Sequence, residues 1–453
     1  MNVVMSPSEV GKSGLVHMDA DRTHFLVNRD AYRSPAVFEK EMKTVFERCW
    51  LYLGHDSEIA KPGDFVTRRI ARREILLTRD RKGEARAFFN SCMHRGVTVC
   101  RQKSGNRKNH TCPYHGWVYS LEGKLLDYGM AGGYDREHNA RGQYNLKQPA
   151  RLEQYRGFFF INFNSRAVSL TDYLADAREI IDLVVDQTEG VQEIISGMHE
   201  YVIKANYKYL AENSYDGYHG IPTHETYFRF LERRLKEDGG DVEGLHRLIA
   251  DYPSGGRAWG LGNGHGIFEA LVPNGRPVAY WMPAWGPEAK KEIDAIRARL
   301  LARFGAERAG RITDLHRNMV IFPNLVINDH VAVTVRAFQP EAVNRMRVTA
   351  WAMGPKDESA ILRKFRLDNF LTFLNPAGFA TPDDNEMLEL AQVGCEGAPI
   401  EFSDLSRGFS EDRSPDIMRA TGPWTNEQQM RAYWTQWDRI MSGAEALEDT
   451  AAA

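Results

Sequence analysis

Short apolar runs separated by turn residues dominate the chain between about residues 50 and 163. Val, Ile, Leu, Phe and Tyr are concentrated in these runs, whereas Gly, Pro, Asn and Lys lie between them. Brief β-prone segments bounded by turn signals are typical of strands. The runs are DFVTRRI, REILLTR, RAFFNS, GWVYS and GFFFINF. This region is therefore predicted to be a small all-β domain.

Apolar residues at helical spacing precede and follow this region. Ser34 and Pro35 supply a helix start for residues 34–48, in which Met42 and Val45 belong to an apolar stripe. Residues 330–340 and 345–353 predict two adjacent strands. Further helices are predicted over 169–187, over 287–305 with an end at Gly305, over 355–374 with a stop at Asn375-Pro376, and after a capping box of Thr425 and Gln428.

The length of 453 residues favours two or three domains. We expect an α+β protein in which the all-β domain is inserted near the N-terminus. Residues 1–49 are predicted to form an N-terminal helical segment that packs on the larger domain. The all-β domain should occupy 50–165 and the larger α+β domain 166–453, with a frayed tail at 449–453.

Composition narrows the class of protein. Apolar residues make up 43% of the chain and charged residues 26%, and the formal net charge is −3. The chain has no excess of positive charge that would indicate binding to nucleic acid or to an anionic membrane. No apolar stretch approaches the length of a transmembrane helix, and the first residues lack the apolar core of a signal peptide. The odd, sparse set of five cysteines predicts a reducing compartment, and we expect a cytoplasmic protein.

The first chemical signal lies inside the predicted β domain. Cys92 and His94 form one short pair, and Cys112 and His115 form a second, with 17 residues between His94 and Cys112. Two thiolates on one iron and two imidazoles on the other define a Rieske [2Fe–2S] centre. A zinc site could use the same residue types, but zinc fingers pair like with like, Cys with Cys and His with His. The alternative is that these residues are only buried thiols and structural histidines. Two closely spaced pairs, each of one Cys and one His, make that interpretation less favourable.

The second signal is a pair of histidines, His219 and His224, five residues apart. Gly220 and Pro222 lie between them and are expected to break a helix locally, so that both imidazoles can converge on one metal ion. A carboxylate from elsewhere would complete a 2-His-1-carboxylate triad on Fe(II). The sequence Asp383-Asp384 is its best source, and spacing alone does not decide between the two aspartates. Hydrogen-bonded core histidines are the competing interpretation.

Together these pieces resemble the large α subunits of aromatic-ring-hydroxylating dioxygenases, from about Val37 to Met441. The matching segments are CMHR, CPYHGW, the Asp-x-x-His-x₄-His run, FGA at 304–306, IFPN at 321–324 and NPAGFATPDDNE at 375–386. The resemblance implies a Rieske domain at 50–165 and a catalytic domain at 166–453 with a large antiparallel sheet of the helix-grip type. It implies a [2Fe–2S] cluster on Cys92, His94, Cys112 and His115, and mononuclear Fe(II) on His219, His224 and Asp384.

The resemblance also assigns roles to other residues. The aspartate that matches Asp216 joins an iron-ligating histidine, here His219, to a cluster-ligating histidine of a neighbouring subunit, here His115. Asn213, Leu374 and Ala380 are implied pocket residues, and the last two are often aromatic in naphthalene-type members. One departure is Asn206-Tyr207-Lys208, where the family usually has Asn-Trp-Lys.

The implied function is that of a terminal oxygenase, which adds O₂ to an aromatic ring to give a cis-dihydrodiol. A separate NADH-dependent reductase, with or without a ferredoxin, would supply electrons, because no GxGxxG fingerprint follows a strand here. A small β subunit in an α₃β₃ hexamer is implied, with α₃ as the alternative. Monooxygenation and a non-enzymatic Rieske electron carrier are the competing functions.

The substrate is less constrained by the sequence than the reaction is. The opening and closing segments resemble members that act on substituted benzoates such as cumate. Arginines that follow the iron motif could bind a carboxylate, although such a run is usually a solvated face. These candidates are Arg229, Arg233, Arg234, Arg247 and Arg257. His265 is a further candidate for the pocket, with a structural role as the alternative.

Overall fold

The computed structural model describes residues 11–130, 132–135, 137–271, 276 and 281–444. The predicted tail at 449–453 lies outside them. Two compact units are present: Phe46–Leu170, here called the β unit, and the remaining described residues, here called the α+β unit. The first elements of the described residues are β1 (Val16–Met18), β2 (Phe25–Asn28), α1 (Asp30–Arg33) and α2 (Pro35–Arg48).

The β unit consists of three small antiparallel sheets, as the alternating short runs predicted. One sheet has the order β6-β5-β4-β7, the second β11-β12-β3 and the third β10-β9-β8. Its strands are β3 (Leu51–His55), β4 (Asp64–Ile70), β5 (Arg73–Arg79), β6 (Ala85–Phe89), β7 (Ser104–Asn106), β8 (His110–Thr111), β9 (Val118–Tyr119), β10 (Leu125–Asp127), β11 (Arg151–Tyr155) and β12 (Phe158–Asn162). The predicted runs DFVTRRI and REILLTR coincide with β4 and β5.

One core cluster of the β unit holds both cysteines of the predicted cluster site. Cys92 and Cys112 pack there with Phe88, Trp117 and Tyr119, all of which are buried. Because this core is small, the loops that carry the two cysteines form a large part of it. The predicted metal-binding residues are therefore also core residues of this unit.

A nine-stranded antiparallel sheet dominates the described part of the α+β unit. Its order is β13-β20-β19-β18-β17-β16-β15-β22, and β14 also pairs with β20. Its nine strands are β13 (Gln192–Ile194), β14 (His199–Ile203), β15 (Gly256–Gly260), β16 (Gly266–Ala270), β17 (His316–Ile321), β18 (Leu325–Asp329), β19 (Val333–Ala342), β20 (Arg345–Pro355) and β22 (Thr421–Pro423). Strand β21 (Phe402–Asp404) lies outside this sheet. The predicted α+β class with a large antiparallel sheet is confirmed.

Helices accompany this sheet, and β21 joins β1 and β2 in a separate three-stranded sheet. The helices are α3 (Leu170–Leu174), α4 (Ala177–Val185), α5 (Tyr207–Asn213), α6 (Gly220–Thr223), α7 (Glu225–Asp238), α8 (Val242–Ala250), α9 (Gly286–Asp314), α10 (Ala360–Thr372), α11 (Ala380–Gly397) and α12 (Gln428–Ser442). Within the described ranges, no helix combines the length and the apolar character that crossing a membrane requires.

The predicted helix end at Gly305 agrees with the structure: Gly305, with φ 73° and ψ 173°, separates two helical segments of α9, and the second segment runs on to Asp314. Two other predicted helix boundaries were wrong. Helix α10 begins only after Ser359, whose hydroxyl accepts a hydrogen bond from the Leu362 N–H at 3.2 Å. The capping box before α12 is absent, because the Gln428 amide donates to Ala258 O at 2.8 Å instead.

A buried ion pair ties α2 to the helix that leads to the predicted iron site. Lys208 Nζ donates to Glu41 Oε1 at 2.6 Å, and both side chains are fully buried. The same oxygen accepts hydrogen bonds from the Tyr207 hydroxyl at 3.1 Å and from Trp437 Nε1 at 2.6 Å. The departure noted at position 207 is thus a tyrosine whose hydroxyl binds a buried carboxylate.

Replacing Glu41 by Ala should destabilise the protein by about 3–5 kcal/mol, because the Lys208 ammonium would remain buried without its carboxylate. The measurement is the urea midpoint of unfolding. Glu243→Ala is the control, since that side chain is 88% exposed, and it should change stability by less than about 0.5 kcal/mol. Equal midpoints for the two variants would contradict a stabilising role of the pair.

Candidate metal centres

Two similar loops carry the Cys and His pairs of the β unit. One follows β6, and its turn is closed by a hydrogen bond from the Gly96 N–H to Cys92 O at 2.8 Å. The other follows β8, and the Gly116 N–H donates to Cys112 O at 3.1 Å. Gly96 and Gly116 have φ of 74° and 76°, which a residue with a Cβ rarely adopts. Each loop therefore presents its Cys and His from the same kind of tight turn.

The side chains of these loops converge. The rings of His94 and His115 have centroids 4.5 Å apart, and His94 stacks on Trp117 at 4.9 Å. His94 Nδ1 is buried and has no hydrogen-bond partner in the described residues. The Tyr119 hydroxyl lies 3.2 Å from Cys92 Sγ. Burial raises the pKa of the Cys112 thiol, a cost that a metal removes by taking the thiolate as its ligand.

This donor set fits a two-iron cluster better than a single ion. Among the described residues, one group of His, Cys and carboxylate side chains brings ligand atoms within 4.8 Å of one another, and it lies in the α+β unit. The four Cys and His residues of the β unit are more widely spread, although they share two matching loops. Two irons bridged by sulfide need two such pairs of ligands. The other three cysteines, Cys49, Cys100 and Cys395, are buried and unpaired by disulfides.

The compact group in the α+β unit is His219, His224 and Asp384. Helix α5 ends before His219, and the four-residue helix α6 separates the two histidines. The local break expected at Gly220 and Pro222 is thus wrong, since both belong to that helical turn. The chain departs from helical geometry at His224 instead, with φ −101° and ψ 28°. This change of direction leaves the two imidazole centroids 5.2 Å apart.

The three side chains meet at one carboxylate oxygen. Asp384 Oδ1, on α11, lies 3.4 Å from His219 Nε2 and 3.4 Å from His224 Nε2. The Asn213 amide donates to the same oxygen at 3.1 Å and lies 3.3 Å from His219 Nε2. A group of lone pairs and negative charge around one point is the environment that a metal cation requires.

Each histidine turns its other nitrogen toward an aspartate. His219 Nδ1 lies 3.1 Å from Asp216 Oδ2, and His224 Nδ1 lies 3.6 Å from Asp383 Oδ2. Such carboxylates orient metal-bound imidazoles and fix their tautomers. The structure therefore separates the two aspartates of the Asp383-Asp384 pair: Asp384 faces the histidine Nε2 atoms, and Asp383 lies beside a ring nitrogen on the outer side.

Electrostatics at this site reflect the shared burial of charged groups. Burial disfavours protonation of His219, but hydrogen bonds to Asp216 and Asp384 outweigh it and raise its pKa to about 10. Burial lowers the pKa of His224. Burial raises the pKa of Asp384, but the hydrogen bond from His219 and the nearby His224 outweigh this effect. The pKa of Asp384 is therefore lowered overall. Without a metal, a proton on His219 thus provides the positive charge that the Asp384 carboxylate requires.

A cavity opens beside these ligands. The three predicted pocket residues, Asn213, Leu374 and Ala380, all line it. Aromatic side chains form much of the remaining wall: Tyr227, Phe228, Tyr252, Phe268, Phe373 and Trp424. The sequence did not mark the polar lining residues Ser214, Asn318, Asn328, His330 and Arg336.

The cation candidates suggested by the sequence lie elsewhere. Arg229 and Arg247 are 75% and 65% exposed and pair with acidic neighbours on their own helices. None of the five arginines lines the cavity. His265 is fully buried, where Nε2 bonds to Tyr173 O at 2.7 Å and Nδ1 accepts from the Phe322 N–H at 2.9 Å. The arginines therefore belong to a solvated face, and His265 is a structural histidine.

Two segments of the chain match known protein families. Residues 49–131 match the Rieske [2Fe-2S] domain, and residues 195–443 match the ring hydroxylating alpha subunit (catalytic domain). This chain belongs to the ring-hydroxylating alpha subunits. It is a Rieske non-haem iron oxygenase, and its cofactors are a Rieske [2Fe–2S] cluster and a mononuclear iron. The resemblance drawn from its motifs is confirmed at the level of family, activity and cofactors.

Individual members of the family show the same pattern. The alpha subunit of toluate 1,2-dioxygenase from Pseudomonas putida is 35% identical over 87% of this chain and 84% of its own length. The large subunit of 2-halobenzoate 1,2-dioxygenase from Burkholderia cepacia is 33% identical over 87% and 83%. The structure of naphthalene 1,2-dioxygenase with indole in the active site superposes with a TM-score of 0.77 at 27% identity, over 98% of this chain and 95% of that one.

Paired variants should separate the two metal centres of this oxygenase. Cys112→Ser should lose the visible spectrum of the cluster, because a Rieske iron would lack a thiolate. His224→Ala should keep that spectrum, lose the mononuclear iron and abolish turnover. Iron and acid-labile sulfide analysis checks both, and each variant is the control for the other. Zinc without labile sulfide in the wild type, or full activity of His224→Ala, would overturn the corresponding ligand assignment.

Proposed function

We propose that this subunit adds both atoms of O₂ to the ring of a substituted benzoate-type acid and forms a cis-dihydrodiol. The observation that carries the proposal is the meeting of His219, His224 and Asp384 at the wall of an aromatic cavity, in a chain that also has a Rieske domain. Relatives named for toluate, 2-halobenzoate and anthranilate support the benzoate class. In the balanced reaction, NADH and a proton supply two electrons and two protons, and no oxygen leaves as water.

The residues that hold the cofactors follow from the same geometry. We assign Cys92, His94, Cys112 and His115 to the cluster, and His219, His224 and Asp384 to the iron. When bound, the iron supplies O₂ activation and the cluster supplies electrons. Asp216 holds the His219 ring in orientation through its hydrogen bond, and Asp383 places a carboxylate 3.6 Å from His224 Nδ1. The aromatic walls hold the substrate ring and exclude water.

Asp216 has a position suited to a second task. Its Oδ2 atom contacts His219, and its Oδ1 atom accepts from the Tyr218 N–H at 2.7 Å. Its side chain is 18% exposed and Tyr218 is more exposed still, so this carboxylate is accessible from the surface. We assign it the bridge to His115 of a neighbouring subunit, along which electrons pass between the metal centres.

The bridge requires an assembly. We assign the chain to an α₃β₃ hexamer with a small β subunit, or to an α₃ ring. A separate NADH-dependent reductase, directly or through a ferredoxin, supplies the electrons. Relatives named as the large or alpha subunit of a dioxygenase support a multicomponent system. The domain limits 1–49, 50–165 and 166–453 and a cytoplasmic location stay predictions from the sequence.

Oxygen isotopes test the reaction. The enzyme is reduced without O₂, freed of excess reductant and exposed to a mixture of ¹⁶O₂ and ¹⁸O₂ with benzoate. A dioxygenase takes both atoms from one molecule, so the dihydrodiol should carry either two ¹⁸O atoms or none. A hydroxylated product with a single atom from O₂ would replace the proposal by monooxygenation. Absence of any oxygenated product would overturn benzoate as a substrate of this oxygenase.

Asp216→Asn should keep the cluster spectrum, the iron content and the oligomer, yet lower product formation on the order of 100-fold. The asparagine has nearly the same shape as the aspartate, but it lacks the negative charge and the second acceptor oxygen with which a carboxylate binds two histidines. The measurement is re-oxidation of the pre-reduced cluster after mixing with benzoate and O₂, which should stall. Near-normal re-oxidation would return Asp216 to a purely structural role.

A further inference from the structure

One part of the cavity wall is a polar patch on the central strands of the large sheet. Asn318 lies on β17, Asn328 on β18 and Arg336 on β19, and His330 follows β18. All four line the same cavity as the iron-site residues. We refer to Asn318, Asn328, His330 and Arg336 as the polar patch.

Strand register explains why these side chains share one face. Phe268 is the antiparallel partner of Asn318, Asn318 is that of Asn328, and Asn328 is that of Thr334. Side chains of directly opposed residues lie on the same side of a sheet. Arg336 follows Thr334 by two residues and therefore points to that side as well. The polar patch is thus a continuous surface across three neighbouring strands.

The patch contains buried polar atoms whose hydrogen bonds are not satisfied within the described chain. These atoms are Asn318 Oδ1, Asn328 Nδ2 and Oδ1, His330 Nδ1 and Arg336 Nε. Burying an amide or a guanidinium N–H without a partner costs of order 1–3 kcal/mol each. Several such atoms on one cavity wall indicate a surface that is completed by a bound polar group.

The charge on this patch is that of Arg336. The residue is only 3% exposed, and no carboxylate oxygen of the described residues lies within ion-pair distance of its guanidinium. Its neighbour Tyr201 is a neutral phenol, since burial raises the pKa of that hydroxyl and the arginine only partly offsets the effect. Burial also lowers the pKa of His330 to about 4, so this imidazole is neutral. A buried cation without a counter-ion favours an anionic ligand.

The rest of the cavity limits what that anion can be. Aromatic rings such as Tyr227, Phe228 and Phe373 form apolar walls that suit an aromatic ring rather than a hydrated ion. A planar guanidinium binds a carboxylate through two parallel hydrogen bonds. The amide of Asn328, with both polar atoms free, can supply a further contact.

We propose that Arg336 is the specificity-determining residue of this cavity and binds the carboxylate of an aromatic acid, with Asn328 beside it. The proposal rests on the proposed function for the ring chemistry, but it concerns recognition of the acid group. Arg336 acts as a binding residue, whereas the iron ligands and Asp216 serve the reaction itself.

Equilibrium binding tests the proposal separately from turnover. Benzoate is titrated into the iron- and cluster-loaded enzyme without O₂ and followed by calorimetry, and nitrobenzene is the neutral ligand of nearly equal shape. Arg336→Met should weaken benzoate about 10- to 100-fold, because charge-assisted hydrogen bonds are lost. The same substitution should change the affinity for nitrobenzene by less than about threefold. Arg336→Lys keeps the charge but not the two parallel donors, and its affinity for benzoate should lie between those of the wild type and Arg336→Met.

Arg229→Met is the matched control, since Arg229 is exposed and pairs with Glu225 on α7. It should bind benzoate as the wild type does. Unchanged iron content and unchanged nitrobenzene binding show that Arg336→Met is folded around an intact cavity. Equal loss of both ligands in that variant would mean a structural role and would overturn the proposal.

Three further outcomes would also overturn it: wild-type affinity for benzoate in Arg336→Met, no benzoate binding by the wild type, or acetate competing as strongly as benzoate. The last would indicate a general anion site. Failure of the proposed function has a different signature. In that case the wild type binds benzoate through Arg336 but forms no oxygenated product from it when reduced and exposed to O₂.

Discussion

Burial of the Asp384 carboxylate is the constraint around which the catalytic site is organised. A carboxylate removed from water needs several compensating partners. Here His219, His224 and the Asn213 amide surround a single oxygen, and all three come from one stretch of chain more than 150 residues earlier. Helix α11 must therefore pack close to α5 and α6. The same arrangement leaves a point of negative charge and lone pairs that a metal ion can occupy.

Local patterns in the sequence predicted the parts of this structure that depend on nearby residues. The alternating runs located β4 and β5, and the short Cys and His pairs located two loops of matching geometry. The position of Asp384 opposite the histidines is different, because a contact over such a separation leaves no periodic signal. Only the resemblance to a family pointed to it, and the contacts now give that choice a physical basis.

Other features escaped because tertiary contacts override local signals. Gly305 ends a helical segment as its backbone freedom suggests, but the second segment of α9 that follows it, with Ala309 and Ile312 buried, was not predicted. Arg336 lies in a strand that is buried along most of its length, so apolar and polar residues do not alternate to mark which face lines a cavity. The exposed arginines after the iron motif were the more visible candidates in the sequence, although Arg229 and Arg247 pair with acidic residues on their own helices.

The cavity divides its tasks between two kinds of element. Helices α5, α6 and α11 bring together the side chains proposed to bind iron, and the buried Asp384 carboxylate and the Glu41–Lys208 ion pair stabilise this arrangement. The sheet supplies the polar patch, where Asn318, Asn328 and Arg336 are carried by three neighbouring strands held by their ladders of hydrogen bonds, and His330 directly follows one of them. A substitution on the patch can change the charge of the cavity without moving a metal ligand. Substrate selection and the iron site can therefore change independently within one fold, which is the physical condition for a family whose members oxidise both acids and neutral hydrocarbons.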